Sequence, residues 1–264
     1  MISIYTTAFN LENFKIDLVD AIDNWLVYGE EIIVATINED YEKIKDIIKS
    51  SKFSKNKKIK IVSENIDIKN DIFWDGKLKN LSLKSCSNDV VLQVDLDERL
   101  SGSKKIYKMA EEEILLHDFP CSIMIPTINL YGDLDHYKDI GYKWYMHTRK
   151  DTFRGSVDFA IQENGIFDPE KSDTCELIDK DGQLIPCVAK LPVTSDGPKV
   201  IHLGSLDFYR RANLNKKFWR KIWSDRKTLS QDREVEATDV YTDHLEFEEP
   251  TKKHNLPTPL WPKL

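Results

Sequence analysis

Glycine is missing where a phosphate-cradling loop would need it. The turn that follows the first apolar run, Thr6-Thr7-Ala8-Phe9-Asn10, contains none. That weighs against both a dinucleotide fingerprint and a P-loop, whose glycines let the backbone approach the phosphates. Long apolar runs are also lacking: no stretch approaches the roughly 18 residues a bilayer-spanning helix requires. The amino terminus, Met1-Ile2-Ser3-Ile4-Tyr5, has neither a basic start nor a long apolar region, so a cytoplasmic protein is expected. The four cysteines, Cys86, Cys121, Cys175 and Cys187, are scattered without metal-site pairing and read as reduced thiols. A basic excess is absent as well. The formal net charge of -7 argues against a nucleic-acid partner. There is no internal repeat.

What remains is a chain of 264 residues, 41% hydrophobic, able to bury a substantial core. Strands are expected at Ile2–Thr6, Glu31–Thr36, Ile59–Val62 and Val90–Val94. Helices are expected between them, at Asn10–Tyr28, Tyr41–Lys49 and Asp75–Ser87, each with an apolar stripe. Strands alternating with helices imply right-handed crossovers and a largely parallel sheet. Beyond them, a helix capped by Ser101 runs to His117, and Cys121–Leu130 and Gly141–Arg149 extend the sheet around a turn at Gly132–Tyr137. Thr152–Pro198 is rich in Gly, Pro and Asp and suits substrate loops. Lys199–His202 reads as a short strand and Asp207–Leu229 as a strong helix. Residues 230–264 read as an acidic, then proline-rich, extended tail. The expected organisation is one domain over 1–229, divided into halves 1–100 and 101–229, plus that tail.

The most informative stretch is Val90-Val91-Leu92-Gln93-Val94-Asp95-Leu96-Asp97-Glu98-Arg99. An apolar run without alternation suits a strand covered on both faces. In open α/β sheets, ligands gather beyond the carboxyl ends of such strands. Two aspartates one residue apart at that edge suit a hard cation, Mg²⁺ or Mn²⁺, which combines few carboxylates with substrate phosphates. Asp-x-Asp also occurs at Asp133/Asp135 and Asp179/Asp181, but in turn-like surroundings that read as solvated loops.

Gly76-Lys77-Leu78-Lys79-Asn80-Leu81-Ser82-Leu83, followed by Asn88-Asp89 and the Val90–Leu100 run, resembles the GT-A glycosyltransferases of family 2. The resemblance is to the subgroup that includes transferases of lipopolysaccharide-core and related glycans. Lys199-Val200-Ile201-His202-Leu203-Gly204, leading into Phe208-Tyr209-Arg210-Arg211, is similar to that subgroup's strand-borne His before an aromatic and basic helix. The likeness covers roughly residues 1–228. It implies a Rossmann-like α/β GT-A fold: a mostly parallel sheet flanked by helices, with an irregular acceptor-side region and a C-terminal helix.

The implied activity is transfer of a sugar from a UDP-, GDP- or dTDP-linked donor to a hydroxyl on a glycan or glycolipid, metal-assisted and inverting. A cation at the strand end would neutralise the departing diphosphate. By that resemblance Asp97 binds the metal, Asp95 the donor ribose or the metal shell, and His202 the metal or diphosphate. The alternative for His202 is a cap on a sheet edge. Thr6, Thr7, Ala8, Asn38, Glu39, Lys79 and Leu96 are the further donor-site candidates, with Lys79 either meeting the diphosphate or lining its helix. The general base would be Glu163 first and Asp158 second. There Phe153–Asn164 departs from the family's usual Gly-x-Val-His-Glu form. The basic face of 207–229 faces either anionic lipid or solvent. The remaining histidines, His117, His136, His147, His244 and His254, have no ligand spacing.

Competing readings are a sugar nucleotidyltransferase, disfavoured by the glycine-free first turn, and a haloacid-type phosphatase, disfavoured by Arg99 and by the strand's late position. A third is a non-catalytic glycan- or nucleotide-binding module, which the altered acceptor segment would allow.

Overall fold

Fully buried runs form the centre of the molecule. The first three strands are β1 (Ile2–Thr7), β2 (Glu31–Ile37) and β3 (Ile59–Glu64), with helices α1 (Leu18–Trp25) and α2 (Asn38–Ser50) in the connections. Helix α3 (Trp74–Ser85) leads into β4 (Val90–Gln93). Every residue of β1, β2 and β4 is buried, whereas β3, at the sheet edge, is half-buried to exposed throughout. The computed structural model describes residues 1–9, 18–68, 71, 73–131, 136–155, 176–194, 196–205 and 252–253.

The chain continues through β5 (Glu98–Ser101), α4 (Lys104–Leu115), β6 (Ser122–Tyr131) and β7 (His136–Thr148). Short strands β8 (Thr152–Gly155), β9 (Glu176–Asp179) and β10 (Cys187–Lys190) precede β11 (Lys199–Ser205) and the two-residue β12 (Lys252–Lys253). The main sheet runs β3-β2-β1-β4-β7-β6-β11-β5. Its first four strands are parallel, β7 is antiparallel to both neighbours, and β11 runs parallel to β6. The result is α/β, a mostly parallel sheet flanked by helices, in a Rossmann-like arrangement.

Alternation along the strands divides the core. Ile4, Ile32, Val34, Val90 and Leu92 pack on one face with Leu18, Ile22 and Trp25 of α1, Ile44 of α2 and Ile114 of α4. Tyr5, Ile33 and Val91 point the other way, onto Leu83 and Cys86 at the end of α3. Helix α1 forms because Leu18, Ala21, Ile22 and Trp25 recur at helical spacing and all bury. Helix α2 gains from Glu39 and Asp40 in its first turn and Lys49 in its last, which complement the helix dipole.

One expectation is corrected. Ser101 does not cap a helix; it ends β5, and α4 begins at Lys104 behind Ser103. Glu98–Ser101 are drawn into the sheet by β11, which pairs with them antiparallel. Strand β7 also starts earlier than the expected Gly141. The first half of the expected Asn10–Tyr28 helix, the turn from Gly132, the 207–229 helix and most of the 230–264 tail lie outside the described residues. Cys86, Cys121 and Cys187 are free thiols. Among the described residues, no helix is long and apolar enough to cross a membrane.

Candidate functional site

Strand β4 stops at Gln93 and the chain turns sharply through Val94-Asp95-Leu96-Asp97 into β5. The Val94 amide still donates to the Tyr5 carbonyl at 3.1 Å, so the turn begins flush with the end of β1. Glu98 then closes it. Its amide donates to the Asp95 carbonyl at 2.9 Å, and its carboxylate accepts the Asp95 amide at 2.9 Å. The same fully buried carboxylate accepts from the Tyr145 hydroxyl at 2.7 Å and the Lys143 ammonium at 3.0 Å. Arg99 ties the turn from behind, donating to the carbonyls of Leu96 at 2.9 Å and Glu98 at 3.0 Å, and to Asp20 on α1 at 2.8 Å. Trp25 donates to the Glu98 carbonyl at 3.1 Å. The acidic triplet is thus divided: Glu98 holds the loop's shape, and the two aspartates stay partly exposed.

Asp97 meets His202. In the β11–β5 ladder His202 lies opposite Glu98, and the Leu203 amide donates to the Asp97 carbonyl at 2.8 Å. This register places the His202 Nε2 3.3 Å from the Asp97 Oδ2. On its other side, His202 Nδ1 is 3.1 Å from the Asn129 side-chain oxygen, its neighbour across β6. That contact directs Nδ1 at Asn129 and leaves Nε2 as the nitrogen facing Asp97. Burial opposes charge on His202, but the Asp97 carboxylate outweighs it and raises the imidazole's pKa above its ordinary value.

Asp95 faces two lysines. The Lys79 ammonium on α3 is 3.5 Å from Oδ1, and that of Lys143 on β7 is 4.0 Å from Oδ2. Gln93 adds a hydrogen bond to Oδ1 at 2.8 Å. Burial works against the charged carboxylate, yet Lys79 and Lys143 prevail and hold its pKa below the usual range. Lys79 also pairs with Asp75 one helical turn earlier, at 3.5 Å. Burial is offset in turn for both lysines: Asp75 and Asp95 keep Lys79 charged, and Glu98 and Asp95 do so for Lys143. Helix α3 therefore buries polar Asp75, Lys79 and Asn80 alongside Trp74 and Leu78, because its face is turned to the site. Asn80 fixes that face through two hydrogen bonds to the Arg154 backbone, at 2.8 and 2.9 Å.

The other expected donor residues lie along the same edge. Thr6, Thr7 and Ala8 are buried at the carboxyl end of β1, where the Ala8 amide donates to the Ala35 carbonyl at 2.8 Å. Asn38 and Glu39 open α2 beyond β2 and are exposed. Leu96 is buried in the turn. Asp158 and Glu163 lie outside the described residues. Sequence reasoning overlooked Lys143, Tyr145 and Asn129. Strand alternation in Lys143-Trp144-Tyr145 was the available signal, since it sets Lys143 and Tyr145 on one face.

Whether the site suits a hard cation is testable on its spacing. Neighbouring ligands of an octahedral ion with bonds near 2.1 Å lie about 3 Å apart, close to the Asp97–His202 separation. Nε2 faces Asp97, and a neutral imidazole nitrogen so placed can ligate a metal. Among the described residues no group of three His, Cys, Asp or Glu side chains converges on one point. Two protein ligands fit, with other positions left for phosphate oxygens and water.

No family model matches the chain, and no curated protein matches it in sequence. Solved structures with related folds include residues 1–349 of TarS from S. aureus, at 13% identity and TM-score 0.41, covering 87% of this chain and 72% of that one. The same TarS fragment in complex with UDP is 16% identical with TM-score 0.42, over 84% of this chain and 64% of that one. The 4-diphosphocytidyl-2C-methyl-D-erythritol synthase of Anaerococcus prevotii DSM 20548 is 16% identical with TM-score 0.33, over 56% and 69% of the two chains. At these values they stand as likenesses.

Proposed function

We propose that this protein is a metal-dependent, inverting GT-A glycosyltransferase that moves a sugar from a UDP, GDP or dTDP donor to a glycan or glycolipid hydroxyl. The observation that carries this reading is the Asp97–His202 pair beside the lysine-flanked Asp95 at the carboxyl ends of parallel strands. The carboxylates of Asp75, Asp95, Asp97 and Glu98 stand among the cations of Lys79, Lys143 and Arg154, a mixed field in which a divalent cation and a diphosphate can be held together.

Asp97 and His202 would hold Mn²⁺ or Mg²⁺, which supplies charge stabilisation to the departing diphosphate. Thr6, Thr7, Ala8, Asn38 and Glu39 would line the nucleoside, and Lys79 would meet the phosphates. Asp95 would orient the ribose or the cation's water shell. Glu98 and Arg99 act through the loop, holding both aspartates in place. Glu163, then Asp158, are the candidates for the base that removes the acceptor proton. The basic segment 207–229 would offer peripheral contact to an anionic acceptor or membrane surface.

A thermal-shift panel of UDP, GDP and dTDP with and without Mn²⁺ or Mg²⁺ tests the reading. One nucleotide should stabilise the protein only with metal, and Asp97→Ala should abolish that shift while leaving the unliganded melting temperature nearly unchanged. Absence of any shift under every condition would leave a non-catalytic binding module as the better account.

A further inference from the structure

Lys143 stands at the site with no part in the motifs that identify it. Strand alternation puts its side chain on the same face of β7 as Tyr145, and its ammonium lies 5.5 Å from the Tyr145 ring centre. From there it reaches Glu98 at 3.0 Å and Asp95 at 4.0 Å. The pairing with Glu98 is not one the loop needs. Glu98 already accepts from the Tyr145 hydroxyl and the Asp95 amide, so each of its oxygens has a donor without Lys143. The lysine is also unlike the groups around it in exposure. Its side chain is 51% exposed, against 11% for Lys79 and 0% for Glu98. A structural counter-ion for a buried carboxylate would be expected to be covered with it.

The two lysines straddle Asp95, Lys79 toward Oδ1 and Lys143 toward Oδ2. One is fixed on a helix within the protein, and the other is on a flexible stem open to solvent. An ammonium with three donor hydrogens can keep one carboxylate partner and still present hydrogens to a new anion. We propose that Lys143 is a donor-binding residue that contacts the diphosphate of the nucleotide donor from the side opposite Lys79. This deepens the transferase reading and rests on it. In the free protein Lys143 is parked on Glu98. When the donor enters, the ammonium turns to the phosphate oxygens, and Glu98 keeps the loop closed through its two remaining donors.

The test is calorimetric titration with the nucleotide selected by the thermal-shift panel, run in Mn²⁺ as nucleoside diphosphate, monophosphate and nucleoside. A charge-assisted contact contributes about 10- to 100-fold in affinity. Lys143→Met should weaken the diphosphate by that factor, the monophosphate less and the nucleoside not at all, and Lys143→Arg should recover most of the loss. Uniform weakening of all three, or unchanged diphosphate affinity, would make Lys143 only the counter-ion of Glu98 and overturn the proposal.

A second measurement uses the unaltered protein. Lys143 should react with acetic anhydride in the free state and be protected, by mass spectrometry, when the diphosphate and Mn²⁺ are present. Equal labelling in both states would overturn the proposal without touching the transferase reading. If no nucleotide binds the unaltered protein at all, both fall together.

Discussion

Glu98 is the residue on which the site's geometry most depends. It is fully buried, and removing its carboxylate leaves the Asp95 amide, the Tyr145 hydroxyl and the Lys143 ammonium to find new partners. Breaking a buried charge network from one side costs about 3–5 kcal/mol. Glu98→Ala should therefore lower the urea-unfolding free energy by roughly that amount, and the metal-dependent nucleotide shift should disappear with it. Glu98→Gln keeps the shape and part of the hydrogen bonding, so its loss should be clearly smaller. If the two variants prove equally stable, the loop does not hang on this carboxylate. Sequence inspection grouped Glu98 with the acidic pair, because residue type alone does not separate a ligand from a brace.

At the scale of elements, strands β1 and β7 are joined over β4 by Tyr5 and His147. The His147 Nε2 lies 2.8 Å from the Tyr5 hydroxyl, and its Nδ1 2.7 Å from the Thr148 carbonyl. The carbonyl can only accept, so Nδ1 donates and Nε2 accepts the Tyr5 proton. The ring is completely buried, and burial pushes its pKa down to about 3. A histidine whose folded pKa lies below its unfolded value binds fewer protons folded than unfolded, so stability rises with pH between the two values. Stability should be full above about pH 6.5 and fall as pH drops toward 3, by up to roughly 4 kcal/mol for this group. Glu31 adds to the decline at its lower end. Burial opposes its charge, but Lys60, Ser3 and Ser87 prevail and hold its pKa at about 2, so its contribution is lost only as pH falls from about 4.5 toward that value. Urea unfolding followed against pH reads both. His147→Gln should flatten the slope between pH 6.5 and 4.5, and an unchanged slope there would exclude His147 as its source.

For the molecule as a whole, the decisive junction is where β5 returns beside β11. Gly102, just beyond β5, adopts a φ of 109°, and a Cβ there would overlap the Gly197 carbonyl ahead of β11. Only glycine meets both demands without strain. Gly102→Ala should cost more than about 1 kcal/mol in unfolding free energy. It should also weaken metal-dependent nucleotide binding, because the β5–β11 register sets His202 against Asp97. Wild-type binding in a destabilised Gly102→Ala protein would separate the register from the site.

The buried strands β1, β2 and β4 and the helices between them were legible from the residues themselves, since unbroken apolar runs and stripes of period 3.6 are local properties of a chain. The placement of Asp95 and Asp97 beyond a strand end followed from the same local pattern. Strand β5 was not legible: Glu98-Arg99-Leu100-Ser101 extends because Lys199–His202 pairs with it from a hundred residues away. The same pairing brings His202 to Asp97, and β7, antiparallel beside β4, brings Lys143 to Asp95 and Glu98. By itself the sequence determined the α/β alternation and the acidic strand end. Which groups surround that end was decided only in the tertiary structure, because contacts between distant segments depend on strand order and register, and neither is encoded within any one segment.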